Sequence, residues 1–193
     1  MSRCDLPTTS TQSKALAVEL VQFLKKNIKN TKIRSEWSAQ NFRLLRKFAR
    51  MKGAGGYPTS DPRNSKKRKA LFLWDFVAYG GKGLLFVAES EWEKKDAGLK
   101  HDFEKLLYVR SPVKLFMCRM KTGQEPAEVK AKLLRYMRSV CSYYSAGEVF
   151  ILYFVWWSIT DGKNRDVAYY LQIPGESEHV EVGRNQDFKR IDF

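Results

Sequence analysis

The sequence predicts an α/β domain, a mixed central β-sheet flanked by helices. Three observations carry that expectation. Apolar side chains recur at helical spacing near the N-terminus and then give way to strand-like apolar runs. Helical and strand-like segments alternate along the rest of the chain. Hydrophobic residues make up 44% of 193 positions, enough for one sizeable core. The expected order is helix, helix, strand, strand, helix, strand, helix, strand, strand. It forms a single domain over 1–193, with N-terminal helices at 12–52, a core at 69–174 and a polar tail at 175–193.

The first helix is expected over 12–29, where Leu16, Leu20, Val21, Phe23 and Leu24 recur three and four apart. Lys25, Lys26 and Lys29 crowd its last turns, where cations suit the helix dipole. A second helix starts near Ser35 or Ser38, collects Phe42, Leu44, Leu45 and Phe48 on one side, and stops at Gly53. Residues 52–69 are rich in Gly, Pro, Ser and Asp and read as a loop ending in a basic cluster, Lys66, Lys67, Arg68 and Lys69. Residues 69–79 and 83–92 read as a hairpin about the turn Gly80-Gly81-Lys82-Gly83. A helix follows at 99–109, stopped by Ser111-Pro112, and then a strand at 113–120. Pro126 suits the first turn of a helix over 125–144. A long strand at 148–160, a turn at Asp161-Gly162-Lys163-Asn164 and a last strand at 166–174 complete the core. The tail from Gly175 to Phe193 is polar, with order expected only near Phe188 and Ile191.

Charge narrows the function. Lys and Arg total 35 against 21 Asp and Glu, a formal net charge of +14. Such a balance favours a polyanionic partner, nucleic acid before an acidic membrane. DNA is placed ahead of RNA, no membrane partner is expected, and a homodimer is compatible with these features. Cys4, Cys118 and Cys141 are far apart and odd in number, and His101 and His179 are isolated. That pattern argues against a zinc site or a disulfide framework and for a reducing, cytoplasmic compartment. The N-terminal stretch lacks an apolar secretory segment, and no phosphate-binding G-x-x-x-x-G-K-[ST] loop is present. The aromatic run Tyr153, Phe154, Trp156, Trp157 could stack on bases, but it reads better as core.

The chemistry-bearing stretch is LFVAESEWEKK, Leu85 to Lys95. Glu89 and Glu91 stand two apart on a strand and so share one face. Asp75 lies on the preceding strand, and it meets them only if register and a bulge cooperate. Clustered carboxylates repel, and burial raises their pKa, unless a cation or a hard metal ion joins them. Mg²⁺ takes oxygen ligands, commonly one or two carboxylates, with water and substrate phosphate completing its shell. The competing reading is an exposed strand end, with these glutamates paired to Lys94, Lys95 or Arg119, worth about 0–1 kcal/mol. Lys105 follows on the next helix, three residues past Asp102. There it could neutralise a phosphate or orient water, or it could form an ordinary helix-surface ion pair.

The segment from Leu71 to Met120, with ESEW, DFEKLL and a basic-apolar strand, resembles a group of bacterial proteins. Through them it resembles the restriction-endonuclease-like PD-(D/E)XK nucleases, over roughly a quarter of the chain. The resemblance implies a restriction-endonuclease-like fold and a Mg²⁺- or Mn²⁺-dependent nuclease that hydrolyses phosphodiester bonds of DNA or RNA. It also implies metal ligation by Asp75, Glu89 and Glu91, with Glu91 ligating or taking a proton from water, and Lys105 as the catalytic ammonium. Glu91 stands where that superfamily usually has lysine. Some members carry Glu-x-Glu and others place the lysine on the following helix, where Lys105 lies; an inactive nucleic-acid-binding or complex-forming module would show the same departure. A further acidic residue from the first helices is common there, with Glu19 and Glu36 as candidates. Lys66, Lys67, Arg68, Lys69, Arg110 and Arg119, with Lys114 and Lys121, are the expected contacts to a phosphate backbone.

Overall fold

Helix α1 (Ser10–Asn27) and helix α2 (Arg34–Met51) form where the apolar spacing places them. Each buries one stripe: Leu16, Leu20, Val21 and Leu24 on α1, and Trp37, Leu45, Phe48 and Ala49 on α2. The computed structural model describes residues 10–28, 34–58, 74–81, 83–92, 96–120, 124–139, 147–157, 164–172, 179–183 and 189–191. After the helices come β1 (Gly55–Pro58), β2 (Phe76–Gly80), β3 (Gly83–Trp92), α3 (Asp96–Leu107), β4 (Val113–Arg119) and α4 (Pro126–Ser139). The chain ends with β5 (Val149–Trp157), β6 (Asn164–Gln172), β7 (His179–Gly183) and β8 (Lys189–Ile191).

The strands form one eight-stranded sheet in sequential order. The β3–β4 and β4–β5 pairs are parallel and the rest antiparallel, so the sheet is mixed as expected. The parallel pairs are the ones whose connections contain α3 and α4, since a parallel return needs a long crossover. Strand alternation divides the core in two. Phe76, Ala78, Phe86, Ala88, Leu115, Met117, Ile151 and Tyr153 pack with α1 and α2. Val77, Val87, Phe116, Cys118, Phe150, Leu152 and Phe154 pack with α3 and α4 on the other face. The result is a helix–sheet–helix sandwich whose central strands are apolar on both sides.

Two sequence expectations change. Residues 55–58, expected as loop, pair with β2. Their two glycines weaken any strand signal, yet Gly56 fits here because a Cβ would fall 2.6 Å from Phe76 Cζ and 3.1 Å from Ala49 Cβ. The polar tail carries β7 and β8, which extend the sheet from β6. Its strands are held by backbone pairing, which a hydrophobicity pattern does not report. Tyr153 and Phe154 are fully buried core residues, as the core reading had it. Among the described residues, no helix is long and apolar enough to cross a membrane.

Candidate metal centre

The site begins with a register shift in the β2–β3 hairpin. Gly80 pairs with Gly83 and Tyr79 with Leu84, but Ala78 then pairs with Phe86, which leaves Leu85 as an extra residue. Beyond that bulge Val77 faces Val87 and Phe76 faces Ala88, so Asp75, the next residue out, comes opposite Glu89. Without the extra residue Asp75 would fall opposite Ala88, on the other face of the sheet. Leu85, which strict alternation would put on the same face as Glu89, instead packs with the α1–α2 core as a consequence of the bulge.

Backbone groups then orient the carboxylates. The Asp75 N–H donates to Glu89 Oε1 at 3.2 Å, and the Ser90 N–H donates to Asp75 Oδ2 at 3.0 Å. Glu91, two residues along β3, points to the same face as Glu89. Both glutamates are buried, at 0% and 6% exposure. Ligand oxygens of Asp75, Glu89 and Glu91 all lie within 4.8 Å of one another. The reading of the glutamates as an exposed strand end is therefore overturned.

Helix α3 closes the site. Lys105 Nζ lies 2.6 Å from Asp102 Oδ1 and 3.3 Å from Glu89 Oε2. Asp102 is itself 3% exposed, so this is no surface ion pair. The Trp74 indole N–H donates to the Lys105 carbonyl at 2.9 Å and ties the residue before Asp75 to the last turn of α3. Neither Trp74 nor the burial of Asp102 was legible as a site feature, because both depend on α3 folding back over the hairpin. The same holds for Asn41 of α2, whose Nδ2 donates to Ser90 Oγ at 2.8 Å on the opposite face of β3.

The electrostatics follow from burial. Desolvation, then the neighbouring Asp75 charge, pushes the Glu89 carboxyl up to about 9 against the pull of Lys105. Burial would lower the Lys105 ammonium, but the hydrogen bond to Asp102 and the charges of Glu89 and Asp102 more than offset it and hold it above its ordinary value. Glu91 faces Cys118 across the β3–β4 ladder. The thiol is pushed up to about 12 by its burial and by the Glu91 charge.

Three carboxylates at this spacing are a fitting donor set for a divalent metal ion. Mg²⁺–oxygen bonds of about 2.0–2.1 Å put ligands on opposite sides of the ion about 4 Å apart, so small side-chain rotations suffice. Glu19 and Glu36 do not join the group. Glu19 is exposed and pairs with Lys52, Glu36 is exposed in the first turn of α2, and both helices cover the other sheet face.

The expected phosphate contacts scatter. Lys66, Lys67, Arg68, Lys69 and Lys121 lie outside the described residues. Arg110 is exposed just before β4, at the end of that strand away from Trp92. Arg119 stacks its guanidinium 4.2 Å from the Trp92 ring, on the face opposite Glu91 and Cys118. Lys114 is wholly buried, 2.6 Å from Glu148 and 4.5 Å from the Phe150 ring centroid, so it cannot reach a phosphate backbone. Its ammonium is held below its ordinary value by burial, against the bond to Glu148.

No family model matches the chain, and no curated protein matches it. Among solved structures, the chain is similar to the central domain of yeast acetyl-CoA carboxylase at 10% identity and a TM-score of 0.42. The match covers 77% of this chain and 26% of that one, so the chain spans about a quarter of the length of the structure it matches.

Proposed function

We propose that the protein is a Mg²⁺- or Mn²⁺-dependent nuclease that hydrolyses phosphodiester bonds of DNA or RNA. The observation that carries this reading is the convergence of Asp75, Glu89 and Glu91 oxygens within 4.8 Å, with the Lys105 ammonium 3.3 Å from Glu89. That combination fits the resemblance to PD-(D/E)XK nucleases at the residues where it was expected. Asp75, Glu89 and Glu91 would hold the ion. When bound, a divalent ion polarises a phosphoryl oxygen and makes water more acidic. Lys105 reaches in from α3 as the cation that neutralises charge developing on the phosphate or orients the attacking water. Asp102 holds that ammonium in place, and Trp74 fixes the turn that carries it. The buried surroundings strengthen each of these interactions.

A second reading has its own observation. Lys105 sits closer to Asp102 than to Glu89, 2.6 Å against 3.3 Å, so its charge is partly committed within α3. That favours a nuclease-like module that grips nucleic acid or joins a complex without cleaving.

Incubation of plasmid, single-stranded DNA and RNA with Mg²⁺ or Mn²⁺ separates the two. Wild type is expected to cleave at least one substrate and to stop when the metal is chelated. Glu89→Ala and Lys105→Ala are each expected to lose about 100-fold or more, the usual effect of removing one group that stabilises a charged transition state. Equal cleavage by all three proteins would indicate a contaminant and remove the site assignment. Salt-sensitive binding with no cleavage under either metal would leave the second reading.

A further inference from the structure

Helix α2 presents a cationic stripe that neither the fold nor the carboxylate site uses. Arg43, Arg46, Lys47 and Arg50 follow one another at steps of three, one and three, so they share one face of the helix. All four are exposed, and together with Met51 they line one open depression. Among the described residues none of them is paired with a carboxylate. Arg43 Nε donates to the Ala39 carbonyl at 3.1 Å, and Lys47 Nζ lies 5.9 Å from the Phe23 ring centroid. Those contacts leave most of the donors of the stripe unused, since each guanidinium alone carries five. The neighbouring Lys52, by contrast, is neutralised by Glu19.

The helix beneath the stripe is rigidly seated. Leu45, Phe48 and Ala49 are at most 2% exposed, and the backbone of β1 at Gly56 approaches the helix between Arg46 and Ala49. The stripe is therefore a fixed platform. We propose that this face of α2 binds the phosphate backbone of a nucleic acid. Four cations spread over about 10 Å of helix match a ligand with an anion every few ångströms, which a phosphodiester backbone supplies at about 3.4 Å per strand. A planar guanidinium fork suits phosphate oxygens. A membrane surface fits less well. An interfacial helix must lay its apolar side into lipid, and the apolar side of α2 is already committed to the core. The stripe starts two residues beyond Asn41, which is bonded to Ser90 between Glu89 and Glu91, so the platform is anchored to the strand that carries the acidic group, from the opposite face of the sheet.

This rests on the nucleic-acid half of the function proposed above and is independent of hydrolysis. The test is binding in chelator, so that no cleavage intervenes, followed by anisotropy of labelled duplex DNA, duplex RNA and single-stranded DNA over a salt series, with anionic vesicles alongside. The variant is Arg43→Gln/Arg46→Gln/Lys47→Gln/Arg50→Gln. Its control is Lys26→Gln/Lys100→Gln/Lys132→Gln/Arg135→Gln, which removes as many charges from exposed positions on α1, α3 and α4. The α2 variant is expected to reduce the slope of log affinity for duplex DNA against log salt by about 3.6, at about 0.9 for each of four lost phosphate contacts. Affinity is expected to drop at least 30-fold while the control stays within about threefold. The milder Arg46→Gln/Arg50→Gln is expected to give about half the change in slope and stands in should the quadruple variant fold poorly. Equal losses in variant and control, unchanged binding by the α2 variants, or binding to vesicles but to no nucleic acid would overturn the proposal. Glu89→Ala, measured in the same buffer, is expected to bind like wild type. Loss of cleavage without loss of binding, or the reverse, thus separates the acidic site from the platform.

Discussion

Glu89 is wholly buried beside another carboxylate, and its carboxyl is pushed up to about 9, first by desolvation and then by Asp75. A carboxyl whose folded value lies above its unfolded one favours folding while protonated, and that contribution is lost as pH rises from about 4.5 to about 9. The metal-free protein should therefore lose stability over that window through this residue. Glu89→Gln should remove the loss, narrowing the wild-type decline between pH 5 and 9 by about 1–3 kcal/mol, the scale of an unsatisfied buried polar group. Urea denaturation in chelator at several pH values measures it, and parallel curves for the two proteins would refute it. Cys118 offers a second residue-scale check. It is 2% exposed with its thiol pushed up to about 12. Peptide mapping after alkylation should find it modified at least about 100-fold more slowly in the native protein than in denaturant. The pairing of Glu89 with Glu91 was legible from their spacing alone, because strand alternation is a local rule. Their burial was not, since it depends on α3 covering the strand.

At the scale of elements, the hairpin is the instructive case. Its turn and both strands are written in the sequence, but the bulge at Leu85 is not, since no glycine or proline marks it. Yet that one residue decides whether Asp75 joins Glu89 or points to the far face. The short strand β1 was hidden for the opposite reason: its glycines read as loop, while Gly56 permits a close approach to α2 and β2. Gly56→Ala should therefore force Phe76 or the helix to shift and destabilise the protein by about 1–3 kcal/mol, the usual penalty for overpacking. Thermal denaturation would show it as a lowered midpoint, and a neutral effect would mean that the Phe76 ring moves aside freely. Helices α1, α2 and α4 begin within about two residues of expectation, whereas α3 starts three residues early.

For the whole molecule, the sheet brings residues far apart in sequence to one place, and a ligand that binds only there must stabilise the fold. A divalent ion at 100 times its dissociation constant should add about 2.7 kcal/mol. For a chain of this size that raises the melting midpoint by roughly 5–10 °C. Calorimetry with and without Mn²⁺ checks this, with Asp75→Asn/Glu91→Gln expected to abolish the shift while keeping the sheet. An equal shift in that double variant would place the ion elsewhere. The sequence by itself determined the α/β class, the succession of elements from α1 to β6 apart from β1, and the facing of Glu89 with Glu91, because helical and strand periodicities are set by local backbone geometry. It also determined the surplus of positive charge. Only the tertiary structure decided that Asp75 converges on them, that Lys105 is drawn inward by Asp102, that Lys114 is sealed in the core, and that Arg43, Arg46, Lys47 and Arg50 of α2 stand together with no carboxylate partner among the described residues. Those outcomes depend on register, on crossover packing and on which faces meet, and these are settled by long-range contacts that no short window of sequence contains.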